Sequence, residues 1–499
     1  MIMKTRNLIL AITALVVMTG FSGCEDFLEK SPQGQLTQEA FPVTESDAVL
    51  ATNAVYNTLR QWYYHSGGYP ILDILSDDSH KGSTPKDQLS NVGPYDTFKH
   101  TTTQDGLDRW WSTLYEGIKR ANVVIEKVPD IAMDEGLKAR YLAEARLLRA
   151  VYYFDLVRAW GGVPIVITIT PPLQLARSTA DDVYALILED VDYAIANLPL
   201  RSEYPVADAG RVSKGTAQAL LARIALFRRD FITAEQAALD VITSGEYTLE
   251  PAFANANSLL GEHGPESIFE VGALQYEGTE AGGDQYANTQ GVRGVPNRGW
   301  GFNCPSESLR NSFEEGDPRL DATIIDLGET LDGVKILGNG ESPDVTTDEF
   351  GNIVERECYN QKVWIPGNNT ITQWGHNRRL IRYADVLLMA AEALNENNKP
   401  GDALIYLNKV RERAREGNTS ILPDVTETGK DQLRDIILNE RRHELALEGL
   451  RYWDLVRTGK AVEILGPLGF VEGKHELFPI PQTEIDISQG ILQQNLNWN

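Results

Sequence analysis

The sequence predicts a mainly α chain. Tetratricopeptide-like helical hairpins form a scaffold, and a large loop-rich insert with a few short β-strands interrupts it. Three observations carry this reading. Tyr383 to Glu416 reads as two helices over 34 residues, the length of one tetratricopeptide unit. Ala222 and Ala234 stand twelve apart, as Ala391 and Ala403 do, so small residues face each other across two separate turns. Between residues 258 and 378 the helical period vanishes, and these 121 residues hold 18 of the 42 glycines. No fixed period links the two hairpins, so a regular solenoid is not expected.

Taken in order, the chain opens with Lys4 and Arg6, a short apolar run from Leu8 to Met18, and then Phe21-Ser22-Gly23-Cys24. A positive head, an apolar core this short and a small residue before the cut describe an export signal, residues 1–23, rather than a membrane span. Cysteine directly after Ser-Gly has the form of a lipobox, which makes Cys24 the lipid-bearing residue. Residues 24–45 are polar, carry Pro32 and Gly34, and read as a tether to a body over 46–499. Net charge is −25; cleavage at Cys24 removes two positive charges and no acid, leaving −27. Such a surface repels phosphate backbones, so nucleic-acid binding is not expected.

The body's scaffold is expected over about 46–257 and 379–499. A helix is expected from Asp47 to Tyr64, with Trp62, Tyr63 and Tyr64 crowding its end. Leu107, Trp111, Leu114, Ile118, Ala121, Ile125 and Val128 follow the three–four spacing of a deeply packed helix. A further helix runs to Trp160 and stops at Gly161-Gly162. Asp182–Asn197 and the hairpin Ser213–Ser244 complete the first half. In the insert, Ser267–Val271 and Lys362–Ile365 read as short strands, and DVTTDEFGN (344–352) as a hairpin turn rather than a calcium loop. After Arg379 a hairpin with Pro400 in the first turn of its second helix is followed by another that Gly449 should end. Cys304 and Cys358 either pair or remain buried thiols.

Three C-terminal runs, RYADVLLMAAEALNE (382–396), NERRHELALEGLRYWDLVR (439–457) and LFPIPQTEIDISQGILQQNLNW (477–498), resemble the signature of the SusD/RagB family. WSTLYEGIKRANVVIEKV and EARLLRAVYYFDLVRAWGGVPIV resemble that family's N-terminal half. The resemblance implies a lipoprotein of the outer membrane, facing outward, that binds an oligosaccharide or polysaccharide. Its partner would be a SusC-like TonB-dependent transporter. A RagB-like peptide binder and a tetratricopeptide interaction scaffold are the alternatives. Arg–Glu-rich helices within the signature are expected to hold the scaffold, not the site.

No nucleophile elbow, phosphate loop or HExxH stands out, and the seven histidines form no spaced metal set, so neither an enzyme nor a cofactor is expected. The aromatic residues say more. Trp110, Trp111, Trp160 and Trp453 lie on helices and should be core. Trp62, Trp300, Trp364 and Trp374 lie among turn residues, where flat sugar faces could stack on them. Polar and aromatic groups near them in sequence complete the candidate set: Tyr64, Asp77, Asp78, Asn91, Tyr95, Tyr276, Tyr286, Arg298, Asn303 and Arg378. Trp300 leads the set, because GWGFN places it between two glycines.

Overall fold

The computed structural model describes residues 41–64, 68–172, 174–273, 285–366 and 375–498. It is mainly helical. Helix α1, Glu45–Leu59, starts at a capping box in which Thr44 accepts from the Asp47 amide and Asp47 accepts from that of Thr44. It is followed by α2 (Asp105–Lys127), α3 (Glu135–Trp160) and α4 (Ala180–Asn197), then by α5 (Lys214–Phe227) and α6 (Phe231–Thr243). After the short α7 (Tyr286–Gln290) come α8 (Tyr383–Glu396), α9 (Pro400–Ala414), α10 (Lys430–Leu445) and α11 (Arg451–Thr458). Sequential helices pack on one another through the stripes that their period dictates. Leu107, Trp111, Leu114, Ile118, Ala121 and Val128 are all buried, and Ile125 packs beside them. Ala222, Ala234, Ala391 and Ala403 are fully buried, so both hairpins close through small residues; α8 of the second also packs on α6 of the first.

Buried ion pairs cross-link these layers. Arg149 grips Asp190 with two hydrogen bonds of 2.7 and 2.8 Å, joining α3 to α4. Asp385 of α8 accepts from Arg223 at 2.6 Å and from Arg441 at 2.7 Å, joining α5 and α10 to it.

The strands are short, and Ile268, Phe269, Val271, Phe302 and Ile381 join the helical core. Among the described residues they form five antiparallel two-stranded ribbons. β1 (Ser79–Gly82) pairs with β3 (Phe302–Pro305), and β2 (Ser267–Val271) pairs with β10 (Arg378–Arg382); β4 (Ile324–Asp326) pairs with β9 (Cys358–Asn360), and β5 (Thr330–Leu331) with β6 (Val334–Lys335). The ribbon of β2 and β10 is the root of the loop-rich region: the chain leaves at Val271 and returns beside it at Arg378. Both strands are tied to α10. Arg382 donates to Glu444 at 2.5 Å, to Glu266 at 2.7 Å and to Glu448 at 2.9 Å, while Arg413 bonds both Glu444 and Glu266.

Three local expectations are corrected. Lys362–Ile365 is not a strand: Gln361–Val363 is a single 3-10 turn, capped by Asn360, that points Lys362 at Glu448, 2.6 Å away. Helix α10 ends at Leu445, before Gly449, because leaving the helix there lets Arg382 reach both the Glu444 carbonyl and the Glu448 carboxylate. Helix α1 stops at Leu59, so Trp62–Tyr64 sit in the following turn. The 344–352 run turns the hairpin of β7 (Val345–Thr347) and β8 (Ile353–Arg356), with Asp348 accepting from the Phe350 and Asn352 amides. Cys304 and Cys358 are buried free thiols.

Candidate functional site

Aromatic and cationic side chains converge around α7. The turn after α1 supplies Trp62, and the loop before β3 supplies Trp300, whose amide donates to the Asn288 carbonyl of α7 at 2.8 Å. The two indoles meet at 5.4 Å with 64° between their planes. Tyr69 packs on Trp62 at 5.6 Å and on Phe302 at 4.8 Å, which anchors the pair to the core. Trp62, Tyr69 and Trp300 are each half-buried, so part of each ring is fixed and part reachable. Edge-to-face rings present aromatic faces at an angle to each other, a shape that suits a ligand that is not flat.

The glycines on either side of Trp300 are required by close packing of the chain. A Cβ on Gly299 would lie 2.5 Å from the Gly291 Cα, and Gly301 has φ +71° with Arg293 crowding it. They let two chain segments cross closely, and the crossing sets the position of the indole.

Two further groups flank α7. Arg378 lies over Tyr286 at 5.0 Å and near Tyr64 at 6.0 Å. Arg298 covers the Trp364 ring at 4.3 Å and donates to the Ile365 carbonyl at 2.8 Å, while the Trp364 indole N–H donates to Asp332 at 2.6 Å. One face of Trp364 is therefore already occupied. Asp73, buried beneath this region, accepts from the Gly449 amide at 2.8 Å and from Asn303 at 3.1 Å. Burial pushes its carboxyl up to about 7.

Several sequence candidates are withdrawn because their polar groups face inward. Asp78 is fully buried and accepts from Arg442 at 2.6 Å; Asp77 pairs with Arg451 at 2.8 Å. Asn303 is fully buried and bonded to Ser79, Asp73 and Gln290. Tyr95 is 1% exposed and packs on His100. Tyr64 is buried against Tyr152, and Tyr286 is buried beneath Arg378, so both act as floor rather than surface. Asn91 is exposed and bonds Gln88. Tyr276, Trp374 and Cys24 lie outside the described residues. Tyr69 was missed, although it is an aromatic among turn residues, the signal that pointed to the others.

Among the described residues, one trio brings metal-ligand atoms within 4.8 Å: Glu314, Glu440 and His443. Arg411 already bridges its two carboxylates at 2.6 and 2.8 Å, so a cation's place there is taken by a guanidinium.

The sequence model of the SusD family matches residues 265–498, and one described as "Starch-binding associating with outer membrane" matches residues 26–226. SusD-like protein P38 of Formosa agariphila is 29% identical over 96% of each chain. A solved laminarin-binding SusD-like protein superimposes with a TM-score of 0.78 at 30% identity, covering 91% of this chain and all of that one. Surface glycan-binding protein A from Bacteroides thetaiotaomicron, solved with laminarihexaose, gives a TM-score of 0.75 at 26% identity over 91% of this chain and all of its own.

Proposed function

The chain belongs to the SusD family, and we propose that it captures an oligosaccharide on the Trp62–Trp300 platform and passes it to a SusC-like TonB-dependent transporter. In this reading the protein is an outward-facing lipoprotein of the outer membrane, anchored through Cys24, and a binder rather than an enzyme. The body over 46–499 works as one unit: helices hold the frame and the loop-rich region carries the ligand face.

One observation carries the reading. Two tryptophans from distant segments meet at 5.4 Å with their rings half-buried, fixed by Tyr69 from below. A rigid, partly open aromatic pair is what a sugar's C–H faces stack on, and the nearby guanidinium and amide groups supply partners for hydroxyls. The glycan ligands of the solved relatives support it. The remaining candidates in the set are Trp364, Arg298 and Arg378.

Calorimetric titration with laminarihexaose and a panel of other oligosaccharides tests the platform. Trp62→Ala and Trp300→Ala should each abolish or sharply weaken binding of whichever glycan the wild type takes. Full-strength binding by both variants would remove the platform from the site. No reducing ends should appear on prolonged incubation; release that tracks with the protein through purification would make it an enzyme.

A further inference from the structure

Every buried arginine among the described residues meets a carboxylate: Arg379 faces Glu270, and Arg382 faces Glu266, Glu444 and Glu448. The half-buried Arg298 and Arg378 do not. Among the described residues neither has a carboxylate in ion-pair contact; Arg298 makes one hydrogen bond, to the Ile365 carbonyl, and the Nη1 of Arg378 is buried without a partner. Both are held by ring contacts instead, Arg298 on Trp364 and Arg378 on Tyr286.

The two positions belong together. Tyr286 and Ile365 pack in one apolar cluster, so Arg298, bonded to Ile365, and Arg378, lying over Tyr286, flank the same few side chains. The aromatic platform adjoins them, since Trp300 follows Arg298 by two residues and hangs from α7, on which Tyr286 sits. A guanidinium carries five N–H donors, and leaving them unmatched beside apolar surface is costly. In a chain of net charge −25, two such groups with no ion-pair partner among the described residues can receive an anion from outside.

We infer that the ligand is an acidic glycan, whose carboxylate or sulfate groups are received by Arg298 and Arg378 while its ring faces stack on Trp62 and Trp300. This rests on the glycan-binding reading and adds the charge of the ligand to it. Arg378 has little competition from its own side: the buried carboxyl that its charge reaches, Asp73, is pushed up to about 7 and is only partly ionised at neutral pH. Guanidinium–carboxylate and guanidinium–sulfate contacts form paired, charge-assisted hydrogen bonds that a hydroxyl cannot match.

The test is calorimetric titration of the wild-type protein with three hexasaccharides: galacturonate, a sulfated carrageenan fragment and neutral laminarihexaose. At least one acidic probe should bind about tenfold or more tightly than the neutral one at low salt, and that margin should shrink as salt is raised. Which acidic probe wins tells carboxylate from sulfate recognition. Arg298→Gln and Arg378→Gln should each weaken acidic binding while thermal melts stay near wild type. Should Arg378→Gln melt early, Arg378→Lys, which keeps the charge, should retain part of the preference. Equal or tighter binding of laminarihexaose would overturn the acidic ligand and leave glycan binding standing. Binding of none of the three, together with none from a wider neutral panel, would overturn both.

Discussion

Trp111 is 2% exposed and meets Trp160 at 5.2 Å, whereas Trp300 stands half-buried against Trp62. The same truncation should therefore do different things at the two places. Trp111→Ala leaves a cavity between α2 and α3 and should lower stability by about 3–5 kcal/mol, read from denaturant melts, with binding retained by the folded fraction. Trp300→Ala should leave the melting curve nearly in place and remove binding. Equal destabilisation by the two would mean that Trp300 is core. This contrast was legible in the sequence, because a three–four stripe directs a ring inward and a Gly-flanked turn does not. Asp77 and Asp78 were not legible. A carboxylate in a loop reads the same whether it faces water or an arginine, and the arginine that claims Asp78 lies 364 residues further on.

At the scale of elements, α10 is the junction. Its Glu444 is fully buried; against the desolvation that burial imposes, Arg413, Arg382 and Arg319 hold its carboxyl well below the usual range. Removing that carboxylate would take one charged partner from each of three guanidinium groups in the interior. Glu444→Ala should therefore cost about 3–5 kcal/mol, more than a surface ion pair is worth. The same groups set the acid response. Although burial opposes it, His263 and Arg379 hold Glu270 at about 2, and Arg223 and Arg441 keep Asp385 depressed in the same way. In the unfolded chain these carboxyls take up protons near 4, so their stabilisation is complete above that pH and is lost as pH falls through the depressed native values. Melting temperature should fall steeply below about pH 4, and Glu444→Gln should make that fall shallower. The helical hairpins were readable because a period of 3.6 is written directly in the chain. The end of α10 and the Lys362 turn were not, because long-range ion pairs, invisible to a local window, decide them.

For the whole molecule, the proposed anchor and the body can be tested separately. No helix of the described residues is long and apolar enough to cross a membrane. Cys24→Ala should shift the protein from the membrane fraction to the supernatant while its melting temperature and glycan titration stay unchanged. Retention in membranes after a high-salt wash would remove Cys24 as the attachment point. Co-purification of the wild type with an outer-membrane transporter, lost on mild detergent exchange, is the matching expectation for the partner.

The root of the loop-rich region has a consequence for descent. Its two ends lie side by side as β2 and β10 and are clamped to α10 by Arg382, Arg413, Glu266 and Glu444. Whatever lies between them begins and finishes at one fixed doorway, and the closure cost of a longer or shorter excursion grows only slowly with its length. Lineages could thus trade one set of loops for another while the frame that carries them is inherited unaltered.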